Sequence, residues 1–167
     1  MKTPHILFTV LFCFILGGVQ AQDKTAKAQL APKIEESETA TILNSKKFEF
    51  IANTMLPMGQ PSKNLVGSNY SVVFTPDEII SNMPFYGRSY SAFAMGKDKG
   101  MRFKGAPEEF TIEMQGNTST VTARVQDDSE IYTLLLTVKK SGYATLTIKN
   151  RNKEAINYHG EVVQIAE

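Results

Sequence analysis

The chain has 167 residues, with 18 Lys plus Arg against 17 Asp plus Glu, two His, one Cys and no Trp. Its first 21 residues read as a removable export signal whose one formal charge is Lys2, so the remainder carries acids and bases in equal number. A neutral chain lacks the strong positive field of a nucleic-acid binder or a polybasic membrane clamp, and loss of Cys13 with the signal excludes disulfides, thiolate metal sites and a cysteine nucleophile.

The signal begins with Met1-Lys2 and continues as an apolar run from Ile6 to Val19. Val19-Gln20-Ala21 places small or β-branched residues where a signal peptidase reads them, which predicts cleavage before Gln22. The run falls short of the ~20 apolar residues that span a bilayer, and nothing downstream reads as a transmembrane segment. Phe12 is too bulky for Cys13 to be a lipidation site. The expected location is the periplasm or the exterior of the cell.

Residues 22–33 are polar and alanine-rich and read as a flexible lead-in. Residues 34–167 form a single β-rich domain that opens with a helix. Pro32 near its first turn, Glu35, Glu36 and Glu38 at its positive end and Lys46-Lys47 at its far end suit a helix. Its apolar face is thin, with Ile34, Ile42 and Leu43 only.

From Lys47 the apolar period changes from 3.6 to 2. Phe48, Phe50 and Ala52 share one face of a first strand, and Tyr70, Val72 and Phe74 one face of another. Ser89–Met95 and Met101–Phe103 are shorter candidates. Phe110, Ile112 and Met114 follow, then Val121, Ala123 and Val125, then Tyr132, Leu134, Leu136 and Val138, then Ala144, Leu146 and Ile148. In the last strand, Ala155–Ile165, the phase switches around Gly160, which predicts a bulge or bend there.

Turn chemistry separates these runs: Gly96-Lys97-Asp98-Lys99-Gly100, Gly116-Asn117, Asp127-Asp128-Ser129, Ser141-Gly142 and Asn150-Arg151-Asn152. Thr75-Pro76-Asp77-Glu78 has the form of a capping box and predicts one helical turn through Ile79-Ile80. Half-buried strands joined by short turns make a mainly all-β fold, an antiparallel meander of about eight strands. Such a sheet must close into a barrel or curve strongly to bury one apolar face. A β-sandwich is the second architecture.

Ser45-Lys46-Lys47-Phe48-Glu49-Phe50, Met83-Pro84-Phe85-Tyr86-Gly87-Arg88, Gly100-Met101-Arg102-Phe103, Gly142-Tyr143-Ala144-Thr145-Leu146 and Asn157-Tyr158-His159-Gly160 occur in that order. With them the chain resembles the domain of unknown function 4251 family of exported bacterial proteins. The resemblance implies a signal followed by a β-domain; the family has no assigned activity, so it brings no substrate or catalytic residue.

The densest unusual cluster runs from Met83 to Tyr90. Phe85, Tyr86, Arg88 and Tyr90 together offer aromatic faces, hydroxyls and a guanidinium able to grip an anion. Either these residues bind a ligand at a barrel mouth, or Phe85 and Tyr86 plug the barrel, Gly87 takes a positive φ and Arg88 pairs with a carboxylate. The methionines, and the Pro- and Gly-containing connection 53–68, admit the same two readings, binding surface or packing.

His159 has no second His or Cys with which to share a metal, so no metal is expected. Asp77/Glu78, Glu108/Glu109 and Asp127/Asp128 sit in turns or at strand starts, where acids belong on solvation grounds. No phosphate loop or dinucleotide turn is present, and no cofactor is expected. The sequence therefore reads as an exported, non-enzymatic binding protein that holds a small amphiphilic or apolar ligand in or at the mouth of a barrel. The alternative is an envelope protein–protein interaction or inhibitor-type module with a filled core. The inner side chains are large enough to fill a small barrel.

Overall fold

The first element of the computed structural model, which describes residues 37–90, 100–128 and 130–165, is a seven-residue helix, α1 (Glu38–Asn44). The signal, the lead-in, the start of the expected helix, most of the Ser89–Met95 candidate strand and most of the turn that follows it lie outside the described residues. Ser37 caps α1, its hydroxyl accepting from the Ala40 amide at 3.2 Å. The helix stops short of Lys46-Lys47. The Ser45 hydroxyl donates to the Ile42 carbonyl at 2.7 Å, and Lys46 turns left-handed with φ 55°. Leu43 is fully buried and Ile42 half-buried, so the thin face anchors the helix by one residue.

Ten strands follow: β1 (Phe48–Leu56), β2 (Lys63–Asn64), β3 (Ser71–Phe74), β4 (Ile79–Met83), β5 (Met101–Gly105), β6 (Pro107–Gln115), β7 (Thr118–Asp127), β8 (Glu130–Lys139), β9 (Tyr143–Asn150) and β10 (Lys153–Gln164). All pairings are antiparallel, in the order β5-β4-β3-β1-β10-β9-β8-β7-β6, with the short β2 folded back on β1. The nine strands nearly close into a barrel. Sequential neighbours pair within β3–β5 and within β6–β10. What joins these two meanders is β1, which lies between β3 and the last strand, β10. The open seam therefore falls between β5 and β6, and the Phe103 and Tyr132 rings stack at 4.1 Å across the interior near it.

The alternation expected from the sequence sets the inner face. Phe48, Phe50, Phe74, Leu134, Leu136 and Leu146 have no exposed surface at all. A gap wide enough for one water beside any of them would leave part of its surface reachable, so these side chains fill the space between them. Phe48 and Phe74 stack at 4.9 Å, and Phe110 reaches to within 6.2 Å of Phe74 from β6. Phe110 and Ile112 are only half-buried and Met114 is 43% exposed, because β6 ends the sheet.

One local expectation fails, and another is met on the neighbouring strand. Thr75-Pro76-Asp77-Glu78 starts no helical turn but joins β3 to β4: the Thr75 hydroxyl accepts from the Glu78 amide at 3.0 Å, and the Thr75 amide donates to the Glu78 carbonyl at 3.0 Å. The same side-chain cap that opens a helix also closes a hairpin, and buried Ile79, Ser81 and Met83 supply the period of a strand. The phase of β10 holds through Gly160, since Ile156, Tyr158, Gly160 and Val162 are all buried. The bulge expected there is present but carried by the partner strand: the register of β1 against β10 shifts between Ala52 and Thr54, opposite Gly160 and His159, and the buried set of β1 changes from Phe48, Phe50 and Ala52 to Met55. β10 has a second shift, against β9, between Lys153 and Ile156.

Candidate functional site

The segment after β4 runs across one end of the barrel. The Tyr158 hydroxyl, fully buried, donates to the Pro84 carbonyl at 2.5 Å. Phe85 follows with 9% of its surface exposed and belongs to the core. Beyond it the backbone turns along the start of β10. The Glu154 amide donates to the Arg88 carbonyl at 2.9 Å, the Tyr90 amide donates to the Asn152 carbonyl at 2.8 Å, and Ser89 bridges Lys153. This places the segment beside the part of β10 that β1, which pairs only as far as Asn157, leaves uncovered.

The four candidate residues therefore divide. Phe85 is a stopper. Tyr86 is 49% exposed and Tyr90 66% exposed, and Arg88 is exposed with no ion pair among the described residues. The Arg88 backbone amide, not its guanidinium, meets a carboxylate, donating to Glu154 Oε2 at 3.2 Å. Gly87 does not have a positive φ. It is needed for another reason: a Cβ there would stand 2.7 Å from Phe85 Cζ.

Lys63 brings a second loop to this segment. Its ammonium lies 3.5 Å from the centroid of the Tyr86 ring, a cation–π contact linking the 57–70 connection to the 84–90 segment. In that connection Pro57 and Leu65 are buried, β2 pairs with β1, and Met58 and Val66 are each 68% exposed. The connection thus combines packed residues with exposed ones. The methionines divide the same way: Met55, Met83 and Met101 are fully buried, while Met58 and Met114 are exposed; Met95 lies outside the described residues.

Beneath the stopper lies a polar network with no signature in the sequence. The Glu130 carboxylate accepts from the Tyr132 hydroxyl at 2.5 Å, from Asn152 Nδ2 at 3.2 Å and from Asn150 Nδ2 at 3.3 Å. The Tyr132 hydrogen bond holds the carboxyl below its ordinary range; partial burial opposes it, and Asn152, the Lys153 charge and Asn150 assist. Lys153, 8% exposed, donates to the Gly100 carbonyl and lies 5.3 Å from the Phe85 ring centroid. Its members come from strand ends and a turn that only the β8–β9–β10 pairing brings together.

The remaining candidates are scattered. His159 is half-buried on the outer face, its ring 6.0 Å from that of Tyr143. Glu78 pairs with Lys104 at 3.1 Å and Glu108 with Arg124 at 2.9 Å. No group of three or more His, Cys, Asp or Glu residues capable of holding a metal ion occurs among the described residues. No helix among them is long and apolar enough to cross a membrane. What the loop end of the barrel offers chemically is contact area with hydrogen-bonding and cationic tips.

A family model described as "Domain of unknown function (DUF4251)" matches residues 32–162. No curated protein matches the chain. A crystal structure of a DUF4251 family protein from Bacteroides eggerthii DSM 20697, at 1.95 Å resolution, is similar in fold, with a TM-score of 0.61 and 14% sequence identity. The match covers 75% of this chain and 85% of that one.

Proposed function

We propose that this chain, which belongs to the DUF4251 family, acts after export as a non-enzymatic binding protein that presents its loop end to another protein of the cell envelope. One observation carries the reading: among the described residues the inner-face side chains are buried against one another, while Met58, Val66, Tyr86 and Tyr90 stay exposed on two loops joined by the Lys63–Tyr86 contact. A filled core leaves binding to the outside. Exposed aromatics beside an arginine are the residue types that anchor protein interfaces. Export is supported by the Met1-Lys2 start, the apolar run and Val19-Gln20-Ala21.

The test places a photo-crosslinking residue at Tyr90 of the exported protein in living cells. A discrete protein adduct that weakens in the Tyr86→Ala/Arg88→Ala double variant supports the proposal. Adducts indifferent to that variant would sink it. So would native mass spectrometry finding a small molecule held by the purified protein, which would instead favour a ligand at the barrel mouth. N-terminal sequencing of the exported form should begin at Gln22.

A further inference from the structure

Among the described residues, β6 ends the sheet and no strand pairs with its outer edge. Its one strand partner among the described residues is β7, and its nine residues make it almost twice as long as β5, the strand at the other end of the sheet. The register says which backbone groups face outward. Gln115 stands opposite Thr118 across the two-residue turn Gly116-Asn117, where Gly116 has φ 60°. A two-residue hairpin makes that closing pair a hydrogen-bonded one, and such pairs alternate along an antiparallel ladder. Glu113, Thr111 and Glu109 therefore direct their N–H and C=O groups at β7. Met114, Ile112 and Phe110 direct theirs at the open edge.

The side chains of the same strand describe what would fit. On the barrel side, Phe110 and Ile112 are half-buried and Met114 is exposed, a strip that a further strand would cover. The outer side carries Glu109 and Glu113, both exposed and without an ion pair among the described residues, and Glu108 beside them is held by Arg124. The strand has no cation. A second copy of β6 would bring carboxylates against carboxylates, which cross-strand pairing disfavours.

We propose that β6 is a docking edge for an extended basic segment of another protein, one that alternates Lys or Arg with apolar residues and adds as a further strand. Its apolar side chains cover Phe110, Ile112 and Met114, and its cations face Glu109 and Glu113. This edge is separate from the loop surface proposed above and does not depend on it. In the absence of such a partner the acidic residues also guard the edge against aggregation, so the experiment must separate guarding from docking.

The probe is a synthetic nine-residue peptide alternating Lys with Val, added to the purified protein and followed by labelled-peptide anisotropy and amide hydrogen exchange. The expected result is saturable binding with slowed exchange confined to residues 110–114. Binding should weaken roughly tenfold in Glu109→Lys/Glu113→Lys and less in Glu109→Gln/Glu113→Gln, with circular dichroism unchanged in both. A Glu-for-Lys peptide should not bind. Equal binding of both peptides, or no protection at millimolar peptide, would overturn the proposal. So would protection already present in the free protein, with sedimentation then telling a second copy from the chain's own residues.

Discussion

Tyr158 and Pro84, 74 residues apart, are joined by a buried hydrogen bond of 2.5 Å from the hydroxyl to the carbonyl. The bond fixes the stopper segment to the middle of β10, one residue before Phe85 enters the core. Removing the hydroxyl leaves a buried carbonyl without this donor, which costs about 1–3 kcal/mol. Tyr158→Phe should therefore lower stability by that amount in urea unfolding while the sheet survives. Hydrogen exchange should quicken selectively in residues 84–90. A variant as stable as the parent would show that the bond does not hold the segment.

A second close approach sets the spacing of β1 and β10. A Cβ on Gly160 would stand 1.9 Å from the Ile51 carbonyl oxygen, which is backbone and has nowhere to go. Gly160→Ala should cost more than about 4 kcal/mol or prevent folding altogether. Gly59→Ala is the control: nothing lies within 4 Å of the new methyl, and only the positive φ of 67° is strained, for about 1–2 kcal/mol. Equal effects in thermal unfolding would contradict the steric argument.

The strands were readable because each has one wet face and one dry face. The residues expected inside from Val121 to Ile148 are all buried. β4 was hidden because Thr75 and Glu78 make the same local bonds at a hairpin as at a helix start, and because adjacent Ile79-Ile80 blurs the alternation. No local pattern could reveal that the last strand pairs with the first. Loop segments have no period, so nothing in the sequence distinguished buried Phe85 from exposed Tyr86. The Glu130–Lys153 network was out of reach because it depends on which turn faces which.

Phe85 and Tyr86 should behave oppositely when truncated. Phe85→Ala empties a core position and should cost about 3–5 kcal/mol. Tyr86→Ala gives up a half-exposed ring and its contact with Lys63, and should cost about 0.5–1 kcal/mol. Chemical denaturation separates the two, and a Phe85→Ala variant as stable as Tyr86→Ala would return Phe85 to the list of binding residues. Gly87→Ala should resemble a weakened Phe85→Ala, since its methyl pushes the ring rather than the backbone.

Acid should loosen the stoppered end of the barrel through Glu130. Its carboxyl is held below the ordinary range first by the Tyr132 hydroxyl, then, against the opposing effect of burial, by Asn152, Lys153 and Asn150. A group whose folded pKa is lowered stabilises the fold above its unfolded pKa, about 4.3 for Glu, and that contribution disappears as pH falls through the folded value. Glu130→Gln should therefore be less stable than the parent at pH 7, and the gap should narrow as the pH drops below 4. Urea midpoints at pH 7, 5 and 3 check this. Tyr132→Phe removes the largest cause, so the Glu130 carboxyl resonance should titrate nearer its ordinary value in that variant. A gap that widens in acid, or a Glu130 titration indifferent to Tyr132→Phe, would mean that the network is not what holds the charge.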